Sequence, residues 1–417
     1  MSKLQKLIEE LCPNGVEYRK LGEIAKRLKG TPITATQMKA IASSDGEIRI
    51  FAGGKTMIDA HLSDILNANI IKVPSVLVQS RGVIDFVYYD KPFTFKNEMW
   101  AYTTDNSVSV KYLYYFLKNN VEIFREKATA MGAFPQISIP DTDKFEIPLP
   151  PLPVQEEIVK ILDRFAVYAA ELQAELQARQ QQYEYYRNKL LDFSNLESGG
   201  VIWNKYKHLC PNGIEYRKLG EIGVFFGGLT GKSKEDFQDG NAKFITYKNI
   251  YSNPSLDIDI EDRVKIAEGE KQYIVKYGDI LFTGSSETPD ECGMSSVVAS
   301  QTDEPLYLNS FCFGLRLNNL DEFNIHYMKH LLRSEKIRNQ IRQTASGVTR
   351  YNVSKKRFAN IEIPLPPLPV QEEIVKILDK FSSLVSDISQ GLPAEIEARR
   401  EQYEYYRNKL LSFERLN

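Results

Sequence analysis

A chain of 417 residues can hold two or three separately cored domains, and 42% hydrophobic with 26% charged residues is the balance of an ordinary folded protein, which excludes a disordered or membrane-embedded one. A formal net charge of −2 excludes a globally basic surface, so any site for a polyanion must be local. No apolar run approaches the roughly 18 residues of a membrane span, and the first residues have no signal-peptide core, so the expected location is the cytoplasm.

In chain order, the first landmark is LCPNGVEYRKLGEI at 11–24. A variable stretch follows at 25–145, in which SVLVQSRGVIDFVYY (75–89) reads as strands and VKYLYYFLKNNVEIFREKA (110–128) has helical spacing. Next comes a proline hinge, EIPLPPLPVQEEIVKILD at 146–163, with Pro153 suited to a first helical turn and Glu156 and Glu157 near the positive helix end. Apolar residues then recur at mostly three-and-four spacing through AELQAELQ (170–177) to QYEYYRNKLL (182–191), which predicts a helix of about 40 residues and roughly 60 Å. After a Gly-Gly link at 194–208 the order begins again. LCPNGIEYRKLGEI stands at 209–222, a second variable stretch at 223–361, the identical hinge at 362–379, and QYEYYRNKLL at 402–411. The second helix carries SQGLPAEIEAR (389–399) where the first has its tandem tetrapeptide, so it is four residues longer, and Gly391-Leu392-Pro393 predicts a kink or restart.

Two nearly identical frames enclose variable stretches that share almost no sequence, a pattern of one scaffold presenting two different binding surfaces. A single long apolar stripe needs a partner, and the other helix is the obvious one. The expected fold class is α+β: two pseudo-repeated α+β domains joined by two long antiparallel helices that form a coiled coil. The expected boundaries are 1–147, first domain; 148–195, first helix; 196–208, linker; 209–363, second domain; and 364–417, second helix.

Catalytic chemistry is hard to find. GGLTGKS (227–233) is too short for a phosphate loop, SNPSL (252–256) lacks the residues of an adenine-methyltransferase box, and PDTDKFE (140–146) crowds its charges. His326 and His330 are four apart on a helix but lack the glutamate of a zinc motif. Cys12, Cys210, Cys292 and Cys312 form no C-x-x-C pair and read as reduced thiols. No catalytic residue and no metal site is expected.

A polyanion has a clearer place. Between 325 and 358 the only acid is Glu335, against Lys329, Arg333, Lys336, Arg338, Arg342, Arg350, Lys355, Lys356 and Arg357. GVTRYN (347–352) lies within that run. Arginine can contact guanine edges at two points, asparagine or glutamine can do so for adenine, and lysines hold phosphates. The candidate DNA contacts are Arg342, Arg350, Tyr351, Asn352, Lys355 and Lys356, together with Lys248 and Asn249 of TYKN and Ser285 after YGDILFT. In the first half they are Arg81 of QSRG, Lys96 and Asn97 of FKNE, Lys127, and Gln136 of TAMGAFPQIS.

The paired PLPPLPVQEEIVKILD hinges, the PNGVEYRKLGEI openings, the YGDILFT strand and the YEYYRNKLL helix ends resemble the specificity subunit of type I restriction-modification enzymes, over nearly the whole chain. The resemblance implies two target recognition domains, each reading one half of a split double-stranded DNA sequence, with helices that set the unread gap. It also implies two modification subunits that bring S-adenosylmethionine and methylate adenine, and restriction subunits driven by ATP with magnesium, none of these cofactors being bound by this chain. Partner contact carries over to the helix motifs at 148–193 and 364–413, with Gln155, Ile158, Tyr186, Gln371, Ile374 and Tyr406 as candidates. The alternative reading is a coiled-coil scaffold with two protein-binding domains, its prolines acting as polyproline ligands.

Overall fold

A computed structural model describes residues 3–131, 134–193, 207–386 and 391–416. The expected link at 194–208 therefore lies almost wholly outside the described residues. By packing, the chain divides into two units: Met1–Gln173 with Ile396–Asn417, and Ala174–Glu395. Helical residues belong to the units because their apolar faces are buried in the same cores as the sheets.

In the first unit the opening motif and the hinge meet as an antiparallel pair, Glu17–Lys20 with Glu146–Leu149, Tyr18 standing opposite Pro148. A two-stranded ribbon leaves each strand an edge, where a proline costs no ladder bond. A four-stranded sheet runs in the order Lys26–Leu28, Trp100–Thr103, Ser75–Gln79, Asp85–Tyr89. A three-stranded sheet pairs Ile48–Phe51 with Met57–Ala60 and, in parallel, with Phe93–Phe95. Strand Ser75–Gln79 is buried throughout because both its faces are covered. Val76 and Val78 join the cluster holding Tyr112, Phe116 and Phe124, while Leu77 joins Phe51, Phe93 and Phe95. Two covered faces explain a continuous apolar run in place of alternation.

The second unit repeats this topology although its sequence differs. Glu215–Lys218 pairs with Glu362–Leu365. Gly223–Gly227, Cys312–Leu317, Ile280–Thr283 and Ser295–Val297 follow the same sheet order, and Ala242–Ile245 pairs in parallel with Leu306–Leu308. Ile280 and Phe282 enter one core and Leu281 another. The variable stretches thus share their framework as well as their flanks. All four cysteines are free and buried, and burial pushes the Cys312 thiol up to about 12.

The first long helix, α1, spans Leu152–Leu190, 39 residues and about 58 Å. The second is two helices, α2 at Leu368–Ser386 and α3 at Leu392–Leu410, of 19 residues each. The expected break takes the form of a restart: α3 begins at the Gly391-Leu392-Pro393 step, since glycine is a poor helix former and proline donates no backbone hydrogen bond. In the first unit Phe165 lies against Tyr403 and Tyr406 of α3, with ring centroids 6.0 and 5.9 Å away, and Tyr168 takes the Arg399 guanidinium over its ring at 5.4 Å. Partner numbers fall as α1 numbers rise, so the helices are antiparallel. In the second unit Tyr186 stacks on Phe381 at 5.0 Å, the matching pair by motif position.

The chain's last residues complete the first unit. Val16 N donates to Glu414 O and Leu416 N to Val16 O, each at 2.9 Å, and Tyr18 Oη donates to Phe413 O at 2.8 Å. Leu411 is buried in this unit's core, as Leu191, its counterpart at the end of α1, is in the other.

Candidate nucleic-acid interface

Strand registers identify equivalent positions in the two units. Val76 opposite Tyr102 corresponds to Ile280 opposite Leu315, which aligns Arg81 with Ser285. Just beyond, Arg81 bridges to Gln136 and Ser285 pairs with Asn352, each on the second arm of a hairpin, Phe134–Gln136 in one unit and Tyr351–Val353 in the other. Likewise Lys96 N donates to Phe51 O at 3.0 Å and Asn309 N to Ile245 O at 3.1 Å, which aligns Gly53-Gly54 with Tyr247-Lys248. Residues far apart in sequence therefore collect at one end of each unit's sheets.

In the second unit these loops enclose an open cleft of about 570 Å³ that includes Lys248, Ser285 and Arg350. Its walls are aromatic: Tyr247 and Tyr251 stack at 6.1 Å, and Phe311 is 58% exposed beneath the Arg350 guanidinium, 5.4 Å from its ring. Arg350 Nε also donates to Ser285 Oγ at 3.3 Å. Glu291 accepts from Tyr251 Oη at 2.7 Å, Thr288 Oγ1 at 3.0 Å and Ser286 Oγ at 3.1 Å, and these donors hold its carboxyl below the usual range. Tyr247, Tyr251, Phe311 and Glu291 were not among the expected site residues. The tyrosines' four-residue spacing in TYKNIYS was a signal; Phe311 and Glu291 enter only through the fold. Tyr351 is half-buried and Asn352 exposed beside the cleft, with exposed Lys355 and Lys356 on the next helical turn.

In the first unit Arg81 and Gln136 face each other across the bridge, and Lys96 and Asn97 lie on an adjoining turn. Ser80 Oγ donates to Glu98 O at 2.6 Å and Gln79 Nε2 to Gly54 O at 2.8 Å, which ties these loops together. Lys96 is paired with Glu98 at 2.9 Å, and exposed Lys127 ends the helix before the hairpin. Two glycines stand where the second unit has Tyr247 and Lys248, so this loop contributes no side chain there.

The structure gives several of the expected contact residues partners within the fold. Asn249 is buried: its Nδ2 donates to Asp257 O at 2.8 Å and its Oδ1 accepts from Asp257 N and Asn253 Nδ2, which leaves it shaping a turn. Arg342 is ion-paired with Asp290. Much of the basic run serves the fold. Arg333 donates to the carbonyls of Ser295, Ile250 and Tyr251, and Arg338 to those of Gly293, Asp290 and Cys292. Lys329 pairs with Asp379 and Lys336 with Asp192. On the helices, Ile158 and Ile374 are core residues, while Gln155 and Gln371 are buried and donate to the carbonyls of Pro150 and Pro366, each at 2.8 Å. Their contacts are with their own unit, because the hinge must be closed over the helix start. Tyr186 stacks within its unit, and Tyr406 remains 40% exposed.

His330 is 1% exposed, its Nδ1 2.9 Å from Tyr183 Oη and its Nε2 2.7 Å from Asp379. With its pKa pushed below the ordinary value the ring is neutral at neutral pH, an arrangement in which Nδ1 accepts from the tyrosine and Nε2 donates to the carboxylate. Burial pushes the His330 pKa down, with Lys329 and Arg187 adding to the effect and Asp379 opposing it. The unfolded ring takes up its proton near pH ~6.5, so the stability that depends on the neutral ring is full above that pH and is lost as pH falls below it. Urea unfolding of the second unit should therefore weaken between pH 7.5 and 5. His330→Tyr copies Tyr115, which donates to Asp163 at the matching place in the first unit. That variant should show a flatter profile, half-buried His326, whose pKa burial also pushes down, supplying the remainder.

The family model for the type I restriction modification DNA specificity domain matches twice, at residues 13–179 and 211–398. This chain belongs to that family. Among relatives of this specificity-domain chain, the type I restriction enzyme EcoR124I/EcoR124II specificity subunit of Escherichia coli is 30% identical over 440 residues, covering 99% of this chain and 97% of that protein. Two solved structures share the fold. The S subunit of a type I restriction-modification system from M. genitalium superposes with a TM-score of 0.54 at 16% identity, covering 95% of this chain and 96% of the other. A chain from work on complex assembly and conformational transition of a type I restriction-modification system gives 0.56 at 15%, covering 96% and 98%.

Proposed function

We propose that this specificity-family chain is the sequence-recognition subunit of a type I restriction-modification complex, with each unit reading one half of a split duplex target and the long helices fixing the gap. The observation that carries this reading is the pair of loop clusters at equivalent ends of equivalent sheets, furnished with different side chains: Arg81, Gln136 and two glycines in one, Arg350, Ser285 and an aromatic cleft in the other. A shared framework with unlike surfaces is what two different half-sites require. The chain supplies discrimination. Adenine methylation, with S-adenosylmethionine, belongs to two modification subunits seated along the helices, and restriction with ATP and magnesium to further subunits, in the cytoplasm. No described helix is long and apolar enough to cross a membrane.

A scaffold offering polyproline ligands fits less well. Pro148, Pro150, Pro364 and Pro366 are buried, and the carbonyls of Pro150 and Pro366 already accept from Gln155 and Gln371.

Arg350→Ala tests the reading. Mapping modified adenines in DNA methylated by the assembled complex should show one half-site relaxed at a position, with discrimination there reduced roughly 5- to 150-fold, and the other half-site intact. Equal loss at both would count against independent recognition.

A further inference from the structure

Glu291 raises a problem for a surface meant to meet DNA. A carboxylate repels phosphate, so in a protein–DNA interface it can be satisfied only by hydrogen-bond donors. In the major groove those donors are the amino groups of cytosine (N4) and adenine (N6). Glu291 is also a poor candidate for swinging aside: Tyr251 holds its Oε1 and Ser286 and Thr288 its Oε2 in the cleft wall, and Oε1, with one donor against the two on Oε2, retains capacity for a further bond. Arg350, lining the same cleft, is likewise held, between the Phe311 ring and Ser285. A guanidinium seeks two adjacent acceptors, which guanine alone offers, at N7 and O6. Across one base pair, guanine's two acceptors are followed by the amino group of its cytosine. Adenine with thymine presents acceptor, donor, acceptor, which satisfies a fork and a carboxylate less well.

We infer that Arg350 and Glu291 together read one G·C pair in the half-site of the second unit, Arg350 on the guanine edge and Glu291 accepting from the cytosine amino group. The inference rests on the proposed reading of the chain as a DNA-recognition subunit. Among its described residues the first unit has no such couple: Phe134 stands at the place of Arg350 and Gly82 at that of Ser286, so its half-site is read by other chemistry. Glu291 is thus a specificity residue that a search for basic side chains passes over.

The test uses the assembled complex of the full chain with its modification subunits. Methylated-adenine mapping with the natural chain first defines the target; absence of any split motif would overturn the functional reading itself. Given a split motif, competition binding is measured on duplexes carrying each of the four base pairs at every position. The natural chain should prefer one G·C pair in one half-site. Glu291→Gln should reduce preference at that position by about 5- to 30-fold, leaving every position of the other half-site unchanged. Should Glu291→Gln fail to assemble, Ser286→Ala with Thr288→Ala, which only loosens the clasp, should weaken preference at the same position to a smaller degree. A half-site without any G·C pair, a Glu291→Gln profile identical to the natural one, or equal losses in both half-sites would each overturn the inference.

Discussion

Arg333→Met should destabilise the second unit by about 3–5 kcal/mol while leaving the first unit intact. The guanidinium of Arg333 is clasped by the carbonyls of Ser295 at 2.6 Å, Ile250 at 3.0 Å and Tyr251 at 3.2 Å, so one side chain binds the strand end Ser295–Val297 to the helix Tyr247–Ser252. Burial pushes its pKa down to about 10, and Arg338 nearby adds to that effect. It stays charged at neutral pH, held by oriented carbonyl dipoles. Methionine keeps the stem but strands three acceptors without their donor, each a desolvated group that water cannot easily reach. Amide exchange offers a within-chain comparison: Ile280–Thr283 should lose protection while Ser75–Gln79 keeps it. Equal protection of both strands in the variant would show that the clasp contributes little.

Gly30→Ala and Gly228→Ala should each cost their own unit about 3 kcal/mol. A Cβ on Gly30 would stand 1.9 Å from Phe95 O, and one on Gly228 2.0 Å from Asn309 O. In both places the next residue donates to a strand end, Thr31 N to Phe95 O at 2.8 Å and Leu229 N to Leu308 O at 2.7 Å. The nearest obstructing atom in each place is a backbone carbonyl oxygen, so turning a side chain aside gives no relief, and the chain must move away from the sheet. The paired design provides its own control. Each variant should lower the melting of one unit only, and neutral behaviour of both would mean that the crossing is looser than its geometry.

The sequence was most legible where it repeats. Duplicated openings and hinges announced two frames, and Pro153 with the three-and-four spacing placed α1, which begins at Leu152. The restart after Gly391 was also written in local chemistry. The common framework of the variable stretches was not visible, because buried strands such as Ser75–Gln79 and Ile280–Thr283 require only apolar bulk on two faces and tolerate different residues there. Site residues were legible in part: Arg81 with Gln136, and Ser285 with Asn352, were singled out as separate loops and meet across bridges. The basic run misled in the opposite sense. Charge composition cannot distinguish a solvated arginine from one such as Arg333 or Arg338 that caps buried carbonyls. Asn249 and Gln371 mislead for the same reason, since an amide that shapes a turn and one that meets a base edge are the same residue type.

The most direct measurement is a map of methylated adenines in DNA modified by the natural chain assembled with its modification subunits. Two unlike short sequences separated by a constant unread interval, with a modified adenine in each, is the predicted result. A single uninterrupted motif, or two halves whose separation varies from site to site, would contradict it.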